Sequence, residues 1–121
     1  MAWNFNQREA VFIQIANRMR LDIVNGKYLP DEQIPSVRQL AYEAAVNPNT
    51  MQKALSHLEE EGLLYTRGTV GRFVSSDPQK IEAAKEHLRR VAVREWITRA
   101  KELGLSVEEM TYYIKKEEND L

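Results

Sequence analysis

Two short segments hold the residues whose types and spacing could do chemistry: Ser36 with Arg38, and Asn49 with Thr50, Gln52 and Lys53. Ser36 precedes Val37, Arg38 and Gln39, a serine N-cap with glutamine at the third helical position, which is a capping-box arrangement. Asn47 and Pro48 repeat the start signal a few residues later, a capping side chain followed by proline at the first helical position. Helix starts carry partial positive charge and free N–H groups, so both suit phosphate oxygens. Arg38, in the first turn after Ser36, can supply a forked contact to a phosphate or a guanine edge. Thr50, Gln52 and Lys53 occupy the first turns after Asn47, where a recognition helix touches bases. Arg67, Thr69, Gly71 and Arg72 lie around a loop whose flanking glycines let its backbone come close to a neighbouring groove.

Each of these residues also has a plainer reading. Arg38 alone is more often a surface salt-bridge partner, although its place behind a capping serine favours the contact. Asn49 serves equally well as a helix cap or as a DNA contact. His57 fits a partly exposed helix residue better than a base reader.

Catalysis fails on inventory. No nucleophile is paired with a base and an orienting group. Ser56 and His57 are neighbours in sequence, which on a helix points their side chains about 100° apart. The loop from Gly68 to Gly71 has no phosphate-loop lysine and no helix after it. There is no cysteine, and the two histidines, His57 and His87, show no metal-ligand spacing. Neither a metal nor a cofactor is expected. The carboxylates Glu59, Glu60 and Glu61 read as a solvated helix end. The start MAWNFNQREA places Arg8 and Glu9 where a signal peptide needs apolar residues. No run approaches the ~18 apolar residues of a membrane span, so a soluble cytoplasmic protein is expected.

The net charge of −1 runs against an indiscriminate nucleic-acid binder. Up to residue 75, the basic residues Arg8, Arg18, Arg20, Lys27, Arg38, Lys53, Arg67 and Arg72 are matched by Glu9, Asp22, Asp31, Glu32, Glu43, Glu59, Glu60 and Glu61. What matters is where each sign points. Positive and hydrogen-bonding groups cluster at the helix starts, and the acidic run sits at the far end of the third helix.

The elements that must position these groups follow from periodicity and punctuation. Phe12, Ile15, Ala16, Met19 and Ile23 keep a helical period from about Gln7 to Asn25, where Gly26 stops it. The segment from Lys27 to Pro35 is a turn-rich connector in which Tyr28, Leu29 and Ile34 can dip into the core. Helix two runs from Ser36 to Glu43 or Ala44, and helix three from Asn47 to Glu61, with Met51, Ala54, Leu55 and Leu58 as its apolar face. Leu63 to Arg67 and Arg72 to Ser75 are β-favouring runs and predict a hairpin. Two helices joined by a short turn and followed by a hairpin give the order of a winged helix-turn-helix. A fourth helix spans Asp77 to Leu103, and a fifth opens at Ser106 and runs to about Glu117, with the tail from Asn119 frayed.

The fourth helix is apolar on two sides. Ile81, Ala84, Leu88 and Val91 form one face, which Val93, Trp96, Ile97, Ala100 and Leu103 widen. A partner subunit is the simplest second cover, with Val107, Met110, Tyr113 and Ile114 of the last helix contributing. Trp96 and Tyr113 are most simply dimer core, with a ligand pocket as the minority reading. The predicted fold is mainly α with a small β-hairpin. A winged helix-turn-helix domain occupies residues 1–76, and a two-helix dimerisation region occupies 77–121.

From Gln14 to Val74 the chain resembles the N-terminal DNA-binding domain of GntR-family transcriptional regulators. The family's LPSVRxLA segment stands here as Ile34 to Ala41, its VNPNTVxRAxxxLExEGL segment as Val46 to Leu63, and its glycine-containing wing ending in FV as Arg67 to Val74. The resemblance implies operator binding by Ser36, Arg38, Asn49, Thr50, Lys53 and Gly71. The chain departs from the pattern with Asp31 after Pro30 where glycine is usual, and with Lys53 where arginine is usual; lysine cannot fork onto guanine. Thr69 and Val70 stand in the wing where small or basic residues are common. After Val74 the chain is too short for the large ligand-binding domains of most subfamilies. Leu103 to Met110, LGLSVEEM, is similar to the YtrA-type subfamily, whose small C-terminal part dimerises. Such regulators are bacterial and often repress operons for membrane transporters.

These readings converge on a homodimeric repressor of an inverted-repeat DNA operator, with two recognition helices roughly 34 Å apart. A small effector, if one acts, has to bind near the dimer helices or at their junction with the winged domain. The rival from another class is a winged-helix protein-interaction module without sequence-specific DNA binding.

Overall fold

The computed structural model describes residues 2–121. The order is α1 (Val11–Val24), α2 (Val37–Ala44), α3 (Pro48–Glu60), β1 (Leu64–Arg67), β2 (Gly71–Val74), α4 (Pro78–Glu102) and α5 (Val107–Asp120). Helix α1 begins later than its apolar period suggests because Gln14 ties the preceding segment into a turn. Its Oε1 accepts from the Asn6 N–H at 3.0 Å, and its Nε2 donates to the carbonyls of Asn6 at 3.0 Å and Glu9 at 2.9 Å. Ile15, Ala16, Met19 and Ile23 then bury the face that their spacing predicts.

Helix α2 starts at the expected cap, with Ser36 Oγ accepting from the Gln39 N–H at 3.1 Å. It stops at Ala45, which takes a left-handed conformation with φ 58 and ψ 48. The Val46 N–H reaches back to the Ala41 carbonyl at 3.0 Å, the long bond of a Schellman stop. An L-residue pays about 1–2 kcal/mol in that region, and glycine returns roughly 0.5–1 kcal/mol of it through the freedom of its unfolded chain. Because Ala45 is exposed, Ala45→Gly is expected to stabilise the fold by roughly 0.5–1 kcal/mol, seen as a melting temperature a few degrees higher. Unchanged or lower melting would show that the turn is not strained.

Helix α3 is capped by Asn47, whose Oδ1 accepts from the Asn49 N–H at 2.7 Å, and it buries Met51, Ala54, Leu55 and Leu58. Strands β1 and β2 pair antiparallel, with Leu64 opposite Val74 and Arg67 opposite Gly71. The connector after α1 does more than turn. Asp31 N–H donates to the Val74 carbonyl at 2.8 Å, Val74 N–H to the Glu32 carbonyl at 2.9 Å, and Ile34 N–H to the Arg72 carbonyl at 3.0 Å, so the free edge of β2 is paired. Tyr28 and Ile34 are buried as expected, whereas Leu29 is 58% exposed. Leu29 sits on a local turn, its N–H on Glu32 Oε1 at 2.8 Å and its carbonyl accepting from the Glu32 N–H at 2.9 Å, and this holds the side chain outward. Asp31 has φ 63, the left-handed geometry that glycine after Pro30 would take without strain. Its Oδ1 accepts from the Tyr65 hydroxyl at 2.8 Å, and that bond raises the Tyr65 pKa above its ordinary value.

The chain forms two compact units, the first ending at Leu88 and the second beginning at Arg89. The first turns of α4 therefore pack with the winged unit, where Ala84, only 3% exposed, joins the core and Ile81 packs against it. In the second unit Ala100 and Met110 are buried. Ser106 and Glu109 complete the predicted capping box at the start of α5. Helix α5 continues to Asp120, so the fraying expected from Asn119 is not observed; Glu117 and Glu118 are good helix formers. Among the described residues no helix is long and apolar enough to cross a membrane.

Candidate nucleic-acid interface

The starts of α2 and α3 and the wing hold the candidate contacts, and among the described residues Arg72 is the one candidate paired with a carboxylate. Arg38 is exposed and has no ion-pair or hydrogen-bond partner among the described residues. Lys53 is exposed with its Nζ 4.1 Å from the centre of the Phe12 ring. Arg67 is exposed with its guanidinium 4.9 Å from the Phe73 ring. In both the charged head itself lies over the ring, a cation–π contact, and among the described residues no carboxylate pairs with it, so the charge is not neutralised within the chain.

The other cations up to residue 75 lie away from these starts or are held: Arg8 is exposed ahead of α1. Arg20, 2% exposed, is paired with Glu61, and its Nη1 donates to Asn17 Oδ1 at 2.6 Å. Lys27 reaches Asp22 at 3.7 Å, and Arg18 covers Trp3 at 4.3 Å from the ring centre. Glu59 and Glu61 are therefore not the solvated run that their sequence suggests. Glu61 neutralises a buried arginine and lies 3.3 Å from His57 Nε2, and Glu59 holds Arg72 and accepts from Thr66 Oγ1 at 3.0 Å. His57 is partly exposed and sets its ring edge-on to Phe12.

Ser36 and Thr69 line the same groove, of about 390 Å³, together with Val37, Thr66, Gly71 and Arg72. The start of α2 and the wing thus face one another across it. Asn49 does not cap α3, since Asn47 does; its backbone N–H is used and its side chain is exposed. Thr50 is half-buried and Gln52 exposed. Arg72, with its side chain 15% exposed, is the candidate that departs most from a free contact, because Glu59 and Gln52 both hold it.

Gly71 has φ 140, and a Cβ there would lie 2.7 Å from Gln33 Nε2. That amide donates to the Val70 carbonyl at 2.7 Å and so ties the wing tip to the connector. Gly71 therefore serves the backbone path of the wing. Gln33 was not foreseen from the sequence, where nothing marks a lone glutamine in a connector as a partner of a residue far along the chain.

Known proteins place this architecture. The family model described as "Bacterial regulatory proteins, gntR family" matches residues 13–74. The uncharacterized HTH-type transcriptional regulator YhcF of Bacillus subtilis is 34% identical over 111 residues, 92% of each chain. The HTH-type transcriptional repressor YtrA of the same organism is 30% identical over 112 residues, covering 88% of this chain and 82% of the relative. A GntR family transcriptional regulator from Listeria monocytogenes superposes with a TM-score of 0.78 at 29% identity, over 93% of this chain and 98% of that one. The DNA-binding domain of AraR, solved in complex with operator ORX1, superposes with a TM-score of 0.54 at 30% identity, over 60% of this chain and 93% of that one. Family model, relatives and winged-helix architecture agree: the chain belongs to the gntR family of bacterial regulatory proteins and is a DNA-binding transcriptional regulator.

Proposed function

We propose that the protein is a homodimeric repressor that binds an inverted-repeat operator, residues 1–76 reading DNA and residues 77–121 dimerising. The observation that carries the reading is the set of exposed cations at the starts of α2 and α3 and on the wing, Arg38, Lys53 and Arg67, which pair with no carboxylate among the described residues. In this reading Arg38 forks onto a phosphate or guanine, Asn49, Thr50, Gln52 and Lys53 face the major groove, and Thr69 and Arg67 approach the neighbouring backbone. The repressor role is supported by the name of the YtrA relative, and the operator by the AraR complex. A small effector would act by shifting the population of dimers competent to bind. Selection of genomic fragments by the purified protein, followed by a salt titration on the best site, tests the reading. A palindromic site with steeply salt-dependent affinity, whose occupancy lowers transcription from the adjoining promoter, is expected. Absence of enrichment would instead favour a protein-interaction module.

Dimerisation is supported by apolar surface that the chain leaves uncovered in its second unit. Leu103 is 80% exposed, and Trp96, Tyr113 and Ile114 are also exposed, while Val91 and Ile97 are half-buried; Leu88, half-buried at the end of the first unit, continues this stretch of α4. Ala100 and Met110 are already covered within the chain, so their contribution to a dimer is to shape the surface from beneath. Trp96→Glu is expected to yield monomers in sedimentation equilibrium and to weaken operator binding, because two half-sites then bind independently. A dimer that survives the change removes this part of α4 from the interface.

A further inference from the structure

Three side chains link the wing to the outward face of α3. The Arg72 guanidinium is anchored by its Nε on Glu59 Oε1, and its Nη1 donates to Gln52 Oε1 at 3.3 Å. Arginine offers donors alone, so Gln52 must turn its carbonyl oxygen towards Arg72 and its amide nitrogen away. That nitrogen keeps a long contact of 3.4 Å to Ser56 Oγ, one turn along the helix, and the residue is exposed.

This orientation bears on base choice. Glutamine recognises adenine by using both ends of its amide, the oxygen accepting from N6 and the nitrogen donating to N7. Here the oxygen is engaged by a cation, and the positive charge beside it disfavours the adenine amino group. The exposed amide nitrogen and the neighbouring guanidinium favour an edge made of acceptors, which in the major groove is the N7 and O6 edge of guanine. We infer that the Glu59–Arg72–Gln52 relay sets the base preference of α3, so that Gln52 donates to guanine in place of pairing with adenine. Glu59 and Arg72 act as positioning residues. The inference rests on the proposal that α3 reads operator bases.

The test is selection from a randomised duplex pool with the full-length protein and four variants: Gln52→Ala, Arg72→Met, Arg72→Lys and the double variant Gln52→Ala with Arg72→Met. Lysine retains a charge for Glu59 but lacks the fork that holds two partners at once, and melting curves check that each variant folds. In the wild-type motif one position of each half-site is expected to prefer guanine over adenine, and Gln52→Ala should flatten that position alone. Both Arg72 substitutions should move the same position towards adenine by at least about fivefold, the low end of what one well-paired base edge discriminates. In the Gln52→Ala background, Arg72→Met should leave that position flat. The inference is overturned if the Arg72 variants lower affinity for all sequences alike, or if Arg72→Met still alters the motif without Gln52. A wild-type protein that enriches no motif overturns the proposed operator binding itself, and the inference with it.

Discussion

Arg38→Ala is expected to weaken operator binding by about 1–3 kcal/mol, a loss of roughly 5- to 150-fold, with little change in melting temperature. The guanidinium is exposed at the start of α2 and has no carboxylate or hydrogen-bond partner among the described residues, so its removal costs the free protein almost nothing. The helix start itself depends on Ser36, which accepts the Gln39 N–H whatever stands at position 38. Arg38→Lys separates two modes of contact. A forked contact to guanine would lose nearly as much with lysine as with alanine and would relax sequence preference at one position. A phosphate contact would be largely restored by lysine, and Arg38→Ala would then lower the salt dependence by about one counterion. Binding within a factor of two of wild type for Arg38→Ala would remove this residue from the interface.

The second large effect is on stability. Glu61→Ala is expected to destabilise the winged unit by about 2–3 kcal/mol, measured by urea unfolding at a fixed protein concentration. Arg20 is 2% exposed, and Glu61 receives two of its donors, Nε at 3.1 Å on Oε2 and Nη2 on Oε1. Breaking such a pair by removing the anion leaves a buried cation uncompensated. Full burial of both partners would place the loss at about 3–5 kcal/mol; the Glu61 side chain is 35% exposed, which lets water recover part of it. Asn17 still accepts one Arg20 donor, another partial offset. Adding Arg20→Met should recover stability, because an apolar side chain of similar volume fills most of the site without a charge. The double variant is therefore expected to be more stable than Glu61→Ala alone. If Glu61→Ala costs less than about 0.5 kcal/mol, the guanidinium has found water and the pair is not structural.

Much of the fold follows from local rules that the sequence carries in full. The caps at Ser36, Asn47 and Ser106 act on N–H groups two or three residues away, so neighbours in sequence suffice to place the helix starts. The apolar period of α3 picked out Met51, Ala54, Leu55 and Leu58, and all four are buried, because one helical face is all that burial requires. The winged order and the gntR resemblance are of the same kind, since they rest on residues in register along the chain. The start of α1 was less legible, because the turn closed by Gln14 reaches back eight residues to Asn6.

What the tertiary structure alone decided is which charges are free. In the sequence Glu59, Glu60 and Glu61 are equivalent, yet Glu61 meets Arg20, 41 residues away, and Glu59 meets Arg72 across the wing. No local period encodes those encounters, because they depend on how α1, α3 and the hairpin pack together. The same packing pairs the connector with the edge of β2 and ties Gln33 to the wing. The sequence by itself determined the elements and the family, through spacing and capping that act over a few residues. The distinction between a committed Arg72 and a free Arg38 belongs to the fold, since a charge is neutralised by whatever packing brings within a few ångströms of it.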